Sequence, residues 1–164
     1  MIVDCGTGLV LKQAVFLQPP FTSNPHDKVE AGQRVPKDWT PVPGMTVKLD
    51  VDSPGLIEVG GHIGFQIEAA PGERAETDDK FMLGIALQLN GRSVREPMGT
   101  QATANEVRDT HYHDAAFFWA VPIELGTHVV EVMARAQPKR GADDCLVYLK
   151  ERHYHGAIVK VFGS

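Results

Sequence analysis

The chain has 164 residues, a length that suits one domain with a continuous core. Hydrophobic residues at 43% and charged residues at 23% are ordinary globular values. The formal charge of −5 supplies no basic stripe, so binding to a nucleic-acid backbone is not expected.

The start, MIVDCGTGLVLKQ, has no positive n-region, and Lys12 and Gln13 break its apolar stretch. Neither a signal peptide nor a membrane insertion is expected. The expected location is the cytoplasm, or a virion or phage-like particle assembled there. Cys5 and Cys145 stand far apart in sequence and form no framework; a bridge between them requires the terminal strands to pair, and two reduced thiols are the default.

The first strand is expected over 9–17. Residues 18–43 then read as a Pro-rich loop, with Pro19, Pro20, Pro25, Pro36, Pro41 and Pro43 opposing a central strand. A loop that long is either a surface arm or functional. Trp39 is its one large apolar anchor. Its commoner role is to pin the loop, and its alternative role is to bind ligand. Strands follow at 44–52, 55–69 and 80–89, each alternating apolar and polar residues with period two. Ser53-Pro54-Gly55 is a turn, and Asn90-Gly91 is a hairpin signal because such turns need positive φ. Residues 97–106 read as a loop, as do 70–79 and 138–144. Strands at 111–122, 127–136 and 156–162 follow, with a further short one at 145–150. The expectation is an all-β fold: a single domain over 1–164, built as a two-sheet antiparallel sandwich with jelly-roll topology.

Three phrases point further. WTPVPGMTVKLDVDSPGLIEV (39–59) sets a tryptophan and a Pro-Gly turn before a strand. LGIALQLNGRSV (83–94) is a hairpin with Asn-Gly at its tip, and IELGTHVVEVMARAQ (123–137) leads from a loop into a long strand. Together they resemble the tumour-necrosis-factor-like jelly roll, also seen in complement-type heads, in the branch found in phage tail fibres and head spikes. The resemblance covers 39–162 and lacks the aromatic framework of the vertebrate heads. It implies a homotrimer that presents loops to a receptor or glycan.

Strand 115–122 supports association independently. Phe117, Trp119 and Val121 share one face, and Ala116, Phe118 and Ala120 share the other. A strand apolar on both faces needs cover on both, so Phe117, Phe118 and Trp119 are the candidate oligomer-interface residues.

His111-Tyr112-His113 and His153-Tyr154-His155 are the repeated motif with ligand chemistry. Residues i and i+2 of a strand point the same way, so each pair presents two imidazoles. Two pairs in one chain, or one pair from each of three chains, would suit a transition metal such as iron, nickel or zinc. The resemblance implies the axial, three-chain form. The competing reading is ordinary strand-end histidines. A cupin-like metal enzyme would want a Glu three or four residues after the second His, where Phe117 and Phe118 stand. No nucleophile elbow and no calcium loop is present. His128 shares the face of Val130 and Val132 and reads as a satisfied inward histidine.

The leading expectation is therefore a non-catalytic, trimeric structural or receptor- or glycan-binding protein of a phage or phage-like particle. Its partners would be itself, cell-surface glycans or particle proteins. The alternatives are a small metal-dependent enzyme on a cupin-like jelly roll and a stand-alone lectin domain. Trp39 and Tyr112 are the candidate binding aromatics.

Overall fold

The computed structural model describes residues 8–17, 32–69, 81–94, 102–104, 112–138, 145–150 and 156–164. Eleven strands form among the described residues: β1 (Val10–Leu17), β2 (Gly32–Arg34), β3 (Thr40–Val51), β4 (Gly55–Ala69), β5 (Phe81–Leu89), β6 (Arg92–Ser93), β7 (Ala102–Ala104), β8 (Tyr112–Ile123), β9 (Gly126–Pro138), β10 (Cys145–Lys150) and β11 (Gly156–Gly163). No described helix is long and apolar enough to cross a membrane.

All pairings are antiparallel and nest like a folded hairpin. The first strand, β1, pairs with the last, β11. Next inward, β3 pairs with β9 and β4 with β8. Innermost, β5 pairs with β6 and β7. The first sheet contains β1, β11, β4 and β8, with β10 pairing the later part of β4 and β2 pairing β10. The second sheet runs β3, β9, β5 and then β6, with β7 also on β5. This nested pairing split across two sheets is a jelly roll, the architecture expected from the period-two runs.

Alternation places the core. From the first sheet come Ile57, Val59, Ile63, Phe65, Phe117, Trp119, Val159 and Val161. Leu83, Ile85, Leu87, Val130 and Val132 meet them from the second. The rings of Phe117 and Trp119 lie 5.1 Å apart and tilted by 37°, within the range of favourable aromatic pairs.

Two loop expectations need correction. The Pro-rich stretch 18–43 is not loop throughout, because β2 lies within it and β3 begins at Thr40. The chain before β3 already follows β9, with the Ala136 amide donating to the Pro36 carbonyl at 2.8 Å. Pro41 and Pro43 are tolerated because β3 is an edge strand, paired among the described residues on β9 alone. The register shifts between Pro41 and Thr46, and Gly44 takes φ 75° after Pro43. This Pro-Gly bulge turns both Val42 and Met45 into the core. The second correction concerns 97–106, expected as loop. There β7 adds three residues to the edge of β5. A segment this short and small-sided carries no alternation, so its pairing comes from the neighbouring strand.

The Asn90-Gly91 turn forms as expected, with φ 55° and 74°. Asn90 also continues the ladder from β5 to β9. Its amide donates to the Val129 carbonyl at 2.8 Å, and its side-chain Oδ1 accepts from the Val129 amide at 2.8 Å. The side chain replaces a backbone carbonyl that the left-handed turn has swung away.

Candidate functional site

His128 is satisfied, as expected. Asn90 Nδ2 donates to its Nδ1 at 2.9 Å, and its Nε2 lies 2.8 Å from the Glu124 carbonyl. A carbonyl only accepts, so Nε2 carries the proton and Nδ1 is the acceptor. The histidine thereby ties the β5–β6 turn to the β8–β9 turn. At the same end of the sandwich, Thr127 Oγ1 donates to Asp50 Oδ1 at 2.6 Å, and Gln13 Nε2 donates to the Asp50 carbonyl at 2.6 Å. These bonds tie the turns at this end together.

The histidine pairs lie largely outside the described residues. His111, His153 and His155 fall there entirely. His113 and Tyr112 are described in backbone only, within β8, where His113 pairs with Phe65 and Tyr112 with Gln66. Among the described residues no group of three or more His, Cys, Asp or Glu is placed to hold a metal.

The structure separates the three candidate interface residues. Phe117 (4% exposed) and Trp119 (2%) point between the sheets and are used up by the core, whereas Phe118 (54%) faces outward. The sequence showed two apolar faces on β8, and β8 packs only its odd-numbered face inside the chain. An interface role is therefore open to Phe118 and closed to the other two.

Phe118 belongs to a larger surface. Across the first sheet its row runs Phe118, Gly60, Ile158 and Phe16, one residue from each of β8, β4, β11 and β1. Phe16 is 73% exposed. The Phe118 ring lies over Gly60, where a Cβ would stand 3.1 Å from its Cδ2. A second apolar row, Pro122, Leu56, Phe162 and Leu11, runs parallel to it. Between the two rows stand Ala120, Glu58, Lys160 and Ala14. Glu58, Gly60, Phe118, Ile158 and Lys160 line a shallow groove on this face. Periodicity revealed the strand but not this surface, because rows across a sheet exist only once the register is known.

Trp39 lies on the other side of the molecule, against the second sheet. The Arg135 guanidinium stands 4.5 Å from its ring centroid. The ring packs over Gly84, where a Cβ would meet Trp39 Cη2 at 3.2 Å. Trp39 thus packs the segment entering β3 against the second sheet while part of its indole stays exposed, an arrangement compatible with both expected roles.

No protein-family model matches the chain, and no curated protein matches it. Solved structures similar to it include dimeric latent PorU from Porphyromonas gingivalis, with 10% identity over 93% of this chain and a TM-score of 0.49. A structure of infectious bursal disease virus, Gt strain, gives 11% over 92% with a TM-score of 0.47. The CBM35 of Cellvibrio japonicus Abf62 gives 15% over 93% with a TM-score of 0.33. The chain spans 13% of the PorU chain, 37% of the viral chain and 95% of the CBM35 chain.

Proposed function

We propose that this chain is a non-catalytic structural or receptor-binding jelly roll that works as a homotrimer in a phage or phage-like particle. The supporting observation is the outer face of the first sheet. Leu11, Phe16 and Phe118 are each at least half exposed and join Leu56, Ile158 and Phe162 in two apolar rows. Contiguous apolar surface of this kind marks an interaction site, and closed symmetry between copies is the usual way to bury it. The pair Glu58 and Lys160 within the apolar field gives each copy both signs of charge to offer a neighbour. The tumour-necrosis-factor-like variant of the fold, suggested by the sequence phrases at 39–59, 83–94 and 123–137, fits this reading.

Light scattering on the purified chain tests it. The expected mass is three times 17.9 kDa. A stable 17.9 kDa monomer at micromolar concentration would refute the reading. Within the same proposal, the pairs His111/His113 and His153/His155 hold a transition metal on neutral imidazoles. Elemental analysis of untagged protein checks this, and a metal-free trimer whose stability ignores chelators would remove the metal from the reading.

A further inference from the structure

The face opposite the apolar one carries a different device. Trp39 precedes the edge strand β3, and its indole crosses β9 to reach Gly84 on β5. Arg135 Nε is buried beside it, whereas the indole remains 39% exposed. The guanidinium packs on the ring, and part of the indole stays open to solvent. Beyond the ring the outward side of the sheet is partly covered, with Gly84 and Met133 both buried. Gly84 and Ala86 follow one another on the outward side of β5, opposite Arg135 and Met133 of β9. The next row is polar, with Gln88 opposite Glu131. It lies four residues along the strands, about 13 Å at 3.3 Å per residue.

We infer that Trp39 is a stacking platform for a neutral oligosaccharide, with Gln88 and Glu131 bonding hydroxyls of a unit further along the chain. A pyranose ring has a face of C–H groups and a rim of hydroxyls. The first matches a part-exposed indole held against the sheet by a cation. The second matches an amide and a carboxylate, which between them donate and accept. An apolar peptide would need a concave pocket in place of a flat ring. A polyanionic glycan would meet Glu131 and a chain of net charge −5. The inference deepens the recognition half of the proposed function and is independent of the assembly half.

Fluorescence quenching is the direct test, because Trp119 is buried and acrylamide reaches Trp39 preferentially. Maltohexaose, cellohexaose and chitohexaose are the probes. At least one is expected to protect Trp39 from quenching. Trp39→Ala should weaken its binding at least tenfold by calorimetry, and Gln88→Ala several-fold. Circular dichroism checks folding; if Trp39→Ala unfolds, Gln88→Ala and Glu131→Ala on the sheet surface decide. The inference is overturned if none of the three protects Trp39 at about 10 mM, beyond the weak end of useful affinity. It also fails if the folded variants bind as the parent does. Light scattering on the same samples separates loss of this site from loss of the trimer.

Discussion

On the first sheet, the outward positions of β4, β8 and β11 carry Leu56, Phe118, Ile158 and Phe162. On the second, the outward positions of β3 and β9 carry Thr46, Lys48, Asp50, Thr127, Glu131 and Arg135, with Val129 and Met133 among them. Both sheets send an equally apolar set inward. The inner pattern is what any sandwich requires, since it supplies the burial that offsets chain entropy. The outer pattern is free of that requirement, and here the two sides diverge. A water-facing sheet ordinarily reads polar, as the β3 side of the second does. The first behaves as though its solvent were protein.

The sharpest way to probe the difference lies within β8, where adjacent phenylalanines face opposite environments. Phe117→Ala should destabilise the fold by about 3–5 kcal/mol, the usual cost of emptying a core aromatic site. Thermal or urea unfolding measures it. Phe118→Ala should leave the unfolding of the isolated chain nearly unchanged. Equal losses in the two variants would mean that β8 is packed on both sides within one chain.

Next in size is the effect on assembly. Phe118→Asp places a charge at the end of the apolar row and should convert the proposed trimer to 17.9 kDa monomers while the circular dichroism spectrum stays that of a β-protein. Lys48→Asp, on the second sheet, should leave the mass untouched. If the Lys48 variant dissociates and the Phe118 variant does not, the faces have been assigned the wrong way round.

These variants also show what could be read before the structure. The alternation of β8 gave two apolar faces but could not say which one the chain keeps for itself. That depends on the crossing between sheets, a tertiary property. Likewise Phe16, Gly60 and Ile158 are unremarkable in sequence and become a surface only through the registers of β1, β4 and β11. The turn at Asn90-Gly91 was legible because its requirement is local, a positive φ at two residues. The start of β3 was not, since prolines argue against strands in general and only an edge position with a bulge admits them. β7 was hidden for the opposite reason: it is too short to show any period.

A smaller loss is expected at Asn90, which binds the hairpin to β9 and His128. Asn90→Ala removes acceptor and donor together and puts a Cβ-bearing residue without a polar handle at φ 55°. A cost of about 1–2 kcal/mol follows from the lost hydrogen bonds and the backbone strain. Asn90→Gly relieves the strain alone, so the difference between the two variants isolates it. If both unfold like the parent, the side chain does not take the place of a ladder carbonyl.

The smallest effect is the one that calibrates the rest. Lys48 is exposed on β3 and pairs across the strands with Val129, away from the core and from the turn bonds. Lys48→Ala should change stability by no more than about 0.5 kcal/mol, as surface positions without special contacts do. Leu11→Ser, at a site of similar exposure on the apolar face, should be just as silent in the unfolding of a monomeric Phe118→Asp background. In the proposed trimer it should weaken association, read as dissociation at higher protein concentration. A pair of outward residues would then be indistinguishable in the single chain and distinct in the trimer. Should Leu11→Ser prove silent in both states, the interface would be confined to the Phe118 row, and the row of Pro122, Leu56, Phe162 and Leu11 would be ordinary solvent-facing surface.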